Sequence, residues 1–175
     1  MEHLQYPVGR FTLPEQISSD DKVNFIDVIS SFPEKIKEAV KGLNDTQLDT
    51  PYRPGGWTIR QVVHHCADSH MNALIRFKLA LTENNPVITP YLQDKWAKLS
   101  DSISLPVESS LRTIQGIHAR WTTLLQSMQA DDYKKAYFHP EKQRLVLLEE
   151  AVASYAWHCR HHLAHILNCS KANNW

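Results

Sequence analysis

Residues 148–168 read LEEAVASYAWHCRHHLAHILN. On a helical wheel turning roughly 100° per residue, Leu148, Val152, Tyr155, Cys159 and Ile166 cluster around one direction, and that stripe must face a core. The period, with no proline or glycine to break it, specifies one long amphipathic helix. Four histidines ride on it: His158, His161, His162 and His165. Residues four apart lie one above the other on one face, so His158/His162 and His161/His165 form two pairs. The first pair lies about 70° from the centre of the apolar stripe and the second about 130° away. His158 and His162 are therefore the candidates for a site inside the fold, while His161 and His165 are expected nearer solvent. A third histidine from another helix would complete a facial set of three nitrogens. That is the ligand set of a catalytic metal site with an open position, not of a closed structural one.

Working outward, residues 136–147 supply the one strand pair, Tyr137-Phe138 and Leu145-Val146-Leu147 flanking the polar turn His139-Pro140-Glu141-Lys142. Pro106 suits the first turn of a helix whose stripe is Leu111, Ile114, Ile117, Trp121, Leu124 and Met128. Residues 84–105 form a long connection with a short helix around Lys95 and Trp96. Thr58 and Gln61 make a capping box that opens a helix running to about Glu83. Ahead of the turn-rich loop 49–56, Val23, Ile26, Ile29, Ile36 and Val40 recur at helical spacing. That helix should be capped at Ser19 or Asp20, kinked near Phe32-Pro33 and ended by Gly42. Residues 1–18 read as irregular. Four long amphipathic helices with little strand signal predict an all-α protein: a four-helix bundle with a small β-hairpin before the last helix, as a single domain over residues 1–175.

The 175-residue chain has a formal net charge of zero. No basic stripe points to nucleic acid, and neither a cationic amphipathic face nor a long apolar run points to a membrane. The first residues lack a basic and then apolar leader. Three cysteines, Cys66, Cys159 and Cys169, without regular spacing fit a reducing cytoplasm and small buried hydrophobes rather than a disulfide framework.

On the second long helix the apolar stripe holds Ile59, Val62, Cys66, Ala73 and Phe77. His70 projects nearest that stripe, His65 lies on its flank and His64 points away. Both His65 and His70 remain open as the third ligand. Asp68 follows His65 by three residues; it either orients a ligating imidazole or is a solvated carboxylate. Tyr155, one turn before His158, could line the same cavity. His118 and His139 are isolated, and a structural or exposed role is expected of them. The residue after His158 is Cys159, so the His-Glu-x-x-His pattern that carries its own general base is absent.

The segment Pro54-Gly55-Gly56-Trp57-Thr58-Ile59-Arg60-Gln61-Val62-Val63-His64-His65-Cys66-Ala67-Asp68-Ser69-His70-Met71 resembles the second-helix signature of the DinB/YfiT superfamily, and within it the YfiT branch of metal-dependent hydrolases. His158-Cys159-Arg160-His161-His162-Leu163-Ala164-His165-Ile166 is similar to that family's last-helix signature, and Arg76 to Glu83 fits the same branch. Cys66 departs from the leucine usual there, and His165 from a frequent glutamine. The resemblance implies a cytoplasmic, homodimeric four-helix bundle with one divalent metal per subunit, zinc or nickel. It also implies the ligands, His65, His158 and His162, and so chooses His65 where the helical wheel does not. The expected activity is hydrolysis of a small-molecule substrate by water activated at the open position. Thiol S-transfer from a low-molecular-weight thiol such as bacillithiol is the alternative, since branch relatives are similar to such transferases. A non-catalytic bundle stabilised by its metal is the third reading.

Overall fold

The computed structural model of the chain describes residues 2–175. Its helices are α1 (Glu2–Gln5), α2 (Ser19–Val40), α3 (Asp45–Leu48), α4 (Ile59–Thr82), α5 (Gln93–Trp96), α6 (Ser100–Ser104), α7 (Glu108–Ser127) and α8 (Leu148–Ala172). Strands β1 (Ala136–His139) and β2 (Arg144–Leu147) pair antiparallel, Ala136 opposite Leu147 and His139 opposite Arg144. The four long helices form the bundle. α2 packs against α7 and α8, and α4 packs against the same two, so α2 and α4 face each other diagonally. The hairpin sits immediately before α8, as the sequence predicts.

Local chemistry explains the helix ends. Ser18 caps α2 and exchanges hydrogen bonds with Asp21, one residue earlier than the expected cap; Thr58 and Gln61 form the capping box of α4. Gly42 adopts a left-handed backbone, φ 78°, just past the end of α2, where a side chain would be strained. Ile29, Phe32 and Ile36 from α2, Val62 and Phe77 from α4, Ile114 and Trp121 from α7, and Leu148, Val152 and Ile166 from α8 are buried and form the apolar core. Each fully buried Leu, Ile or Phe contributes about 1.5–3 kcal/mol. Arg60 ties the loop to α4, donating to Asp49 at 2.6 Å, Asp45 at 2.7 Å and the Leu105 carbonyl at 3.2 Å. Among the described residues, no helix is long and apolar enough to cross a membrane.

α2 continues across Pro33 instead of ending there. Proline has no N–H, so the carbonyl of Ile29, one turn earlier, receives no helical hydrogen bond. That free carbonyl points at α7, and its use becomes clear at the site.

Candidate metal centre

Three histidines converge between α4 and α8. One ring nitrogen each from His65, His158 and His162 lie within 4.8 Å of one another. His65 and His162 are buried and His158 half-buried. The Nε2 atoms of His65 and His158 stand 3.1 Å apart. Trp57, at the mouth of α4, covers the group, with its ring centroid 4.6 Å from that of His65. Burial pushes the His65 imidazole down to about 3 and holds His158 and His162 well below the ordinary imidazole value. All three are neutral at pH 7, the form a metal requires.

A chain of hydrogen bonds fixes which nitrogen of His158 is free. His118 on α7 donates its Nδ1–H at 2.6 Å to the Ile29 carbonyl that Pro33 leaves unbonded. A carbonyl only accepts, so the neutral His118 ring carries its proton on Nδ1 and offers Nε2 as an acceptor. His70 Nδ1 lies 2.8 Å from that Nε2 and donates to it. His70 Nε2 then accepts from His158 Nδ1 at 3.0 Å. Burial lowers His118 to about 4 and His70 well below its usual value, so no ring in the chain is charged at neutral pH. The tautomers therefore run one way, and His158 turns an unprotonated Nε2 toward His65.

A shorter chain does the same for His162. His165 donates Nε2–H to the Gln5 carbonyl at 3.1 Å, leaving its Nδ1 to accept from His162 Nδ1 at 3.4 Å. His162 Nε2 is left free. Neutral imidazole nitrogens aimed at one point suit a borderline divalent cation such as zinc or nickel. The fit is one of donor chemistry: two rings anchored from behind, with their lone pairs in front.

The structure corrects several expectations. His161 and His165 are buried rather than near solvent. The amino-terminal segment and the loop 49–56 cover them: Tyr6 packs on His161 with centroids 5.9 Å apart, and Tyr52 stacks on His165 at 3.9 Å. With His162 they form a second group of histidine nitrogens close enough to share an ion. His64, off the apolar stripe, is nonetheless buried, bonded to Ser110 Oγ at 2.7 Å and the Leu105 carbonyl at 3.0 Å. His70 stands behind His158 rather than in the converging group. Asp68 makes no hydrogen bond to His65 among the described residues, and burial raises its carboxyl to about 6. His118 was missed. Its signal was its place on the α7 stripe with Ile114, Trp121 and Leu125.

Two cavities meet at His158. One, ≈ 430 Å³, is lined by His65, His158, His162 and Trp57. The other, ≈ 630 Å³, runs from His158 past Ser69 and Tyr155 to Arg76 and the hairpin.

A bundle that gathers imidazoles from facing helices next to an open cavity defines the class of metal-site four-helix-bundle proteins. The chain belongs to the DinB superfamily, which residues 30–166 match. A relative from Bacillus subtilis (strain 168), named "Putative metal-dependent hydrolase YfiT", is 46% identical over 173 residues, covering 99% of this chain and 97% of that protein. A relative from Bacillus cereus (strain 03BB102), named "Putative metal-dependent hydrolase", is 50% identical over all 175 residues, covering 100% of each chain. The solved structure of YfiT from Bacillus subtilis, a four-helix bundle of unusual topology, superposes with a TM-score of 0.96 over 99% of both chains at 46% identity.

Proposed function

We propose that the protein is a metal-dependent hydrolase of a small molecule, with a single divalent cation held by His65, His158 and His162. The observation that carries this reading is the set of neutral nitrogens: two are fixed from behind by one-way hydrogen-bond chains and converge with His65 beside an open cavity. The relatives' names support the same chemistry. His65, His158 and His162 would hold the cation through neutral nitrogens, and at that site it would supply Lewis-acid activation of water or of a thiol near neutral pH. The chain's own groups do the rest. Trp57 shields one side of the cluster, and His70 and His118 keep His158 from rotating. Ser69 Oγ, which lines the larger cavity, lies 3.5 Å from His158 Nε2.

One observation favours thiol S-transfer as a second reading. The converging group holds no carboxylate to act as a base toward water. Glu150, on the same helix, is engaged by Arg144 in a bidentate pair. A thiol ionises more readily than water and needs less help. The test is to reconstitute the protein with zinc and, separately, nickel. Cleavage of small esters and amides is then followed beside conjugation of a small thiol to a chlorinated aromatic. Metal-dependent cleavage without thiol is expected; conjugation alone would replace hydrolysis with transfer, and neither activity with either metal would remove the enzyme reading.

The relay carries its own prediction. His118→Leu leaves His70 Nδ1–H buried without an acceptor and frees His158 to turn. Zinc affinity is expected to fall about tenfold, the low end of what loss of an outer partner costs. Titration calorimetry of the metal-free variant checks this, and a change under twofold would show that the relay does not hold the ligand.

A further inference from the structure

Arg76 presents a charge that the fold does not neutralise. It lies on α4, two turns beyond Ser69, and is buried, 9% exposed. None of the ion pairs among the described residues includes it. Its guanidinium makes two long hydrogen bonds, to Tyr155 Oη at 3.5 Å and to the Thr89 carbonyl at 3.4 Å. A guanidinium has five N–H donors, so most of its donor capacity is unspent. A buried cation without a counter-ion is costly to keep. The structure elsewhere pairs its buried arginine: Arg60 has two aspartates.

The surroundings of Arg76 are those of an anion site. It lines the ≈ 630 Å³ cavity whose far end is His158. Tyr91, Tyr137 and Tyr155 line the same cavity. Burial pushes all three phenols up, so each keeps its proton. Tyr155 Oη spends its proton on the Ser69 carbonyl at 3.5 Å; the Tyr91 hydroxyl lies beside the Ser69 side chain, and Tyr137 lines the same cavity. His139 Nδ1, on the hairpin side of the cavity, is buried and has no hydrogen-bond partner. The acidic lining residues, Asp94 and Glu141, are exposed at the rim, where Lys95 and Lys142 accompany them.

We infer that Arg76, with the Tyr91 and Tyr137 hydroxyls, binds a carboxylate group of the substrate, and that the substrate spans the cavity from this anchor to His158. The inference deepens the proposed function and rests on it for the direction of the reacting end, but the anchor itself needs no metal. A carboxylate matches a planar guanidinium by two parallel hydrogen bonds. It also matches the single buried positive charge lining this cavity, whereas a doubly charged phosphate would bring an anion that nothing balances.

The test uses metal-free protein, so that no anion binds through a cation and a failure of the metal reading leaves this result intact. Binding of succinate, its neutral diamide succinamide and inorganic phosphate is measured by calorimetry and by amide chemical shifts. Succinate is expected to bind at least about tenfold more tightly than succinamide, the scale of a hydrogen bond to a charged partner. Shifts should concentrate at Arg76, Tyr91 and Tyr137. Arg76→Met, which preserves length and packing, is expected to abolish the preference. The comparison of succinate with succinamide on the unaltered protein stands even if that variant does not fold. Equal binding of the two, or shifts elsewhere, overturns the inference. Tighter binding of phosphate than of succinate overturns the choice of carboxylate.

Discussion

Replacing His158 with alanine is expected to lower zinc affinity by more than about 100-fold, beyond the range seen when only an outer partner of a ligand is lost. His158 is the ring in which the site's connections meet. Its Nε2 faces His65 at 3.1 Å and its Nδ1 holds the end of the three-histidine chain at 3.0 Å. The substitution thus removes a donor and also leaves His70 Nε2 without the proton it accepts. His65→Ala and His162→Ala are expected to do nearly as much damage. His161→Ala is the control. Its Nδ1 is buried without a partner and it stands outside the group His65, His158 and His162, so affinity is expected to change by less than about threefold. Calorimetric titration of the metal-free proteins with zinc decides between the two groups of nitrogens. If His161→Ala abolishes binding while His65→Ala does not, the site belongs to His161, His162 and His165.

Acid is expected to destabilise the metal-free protein sharply between pH 6.5 and pH 4. The sign follows from burial. In the unfolded chain each histidine takes up a proton near 6.5. In the fold His118 does so only at about 4, His161 and His165 at about 4, and His65 at about 3. Below pH 6.5 the unfolded chain therefore binds more protons, and stability falls until the folded values are reached. His118 alone accounts for roughly 3 kcal/mol over that window, and folded domains hold only about 5–15 kcal/mol in all. Thermal melting of the metal-free protein at pH 7, 6, 5 and 4 measures the loss. A melting temperature that stays level would show that these rings are not neutral and buried. The same burial changes what an exposed imidazole would suggest for the metal. With free histidines, zinc affinity would fall steeply from pH 7 to pH 5. With the ligands already held neutral by the fold, competition from protons moves to lower pH, and acid acts first on the fold.

The elements that could be read in advance are those specified by local periodicity. The stripes of α2, α4, α7 and α8, the capping box at Thr58 and the hairpin before α8 each depend on residues near one another in the chain. The pair His158/His162 was legible for the same reason, since both lie on the flank of one stripe. The helical wheel could not place His161 and His165, because what covers them is distant in the chain: Tyr6 and the Gln5 carbonyl, more than 150 residues earlier, and Tyr52 in the loop before α4. It also could not choose between His65 and His70. Both are buried on the same helix, and only their partners on other elements separate a ring that faces the cluster from one that supports His158. Arg76 gave no local signal at all, because its meaning lies in the carboxylates that are not beside it.

Pro33 has a consequence for descent. It is the residue that leaves the Ile29 oxygen to His118, and it does so from α2, far in sequence from either signature segment. Ile29 contributes only backbone to this contact, while its side chain is held separately by the packing of the core. Pro33, His70 and His118 are not independent in this way. A lineage that loses His118 has no use for an unbonded carbonyl at 29, and a lineage that regains an N–H at 33 gives that oxygen a competing donor. The three positions, scattered over three helices, are thus coupled through one hydrogen-bond chain, and relatives are expected to keep or lose them together.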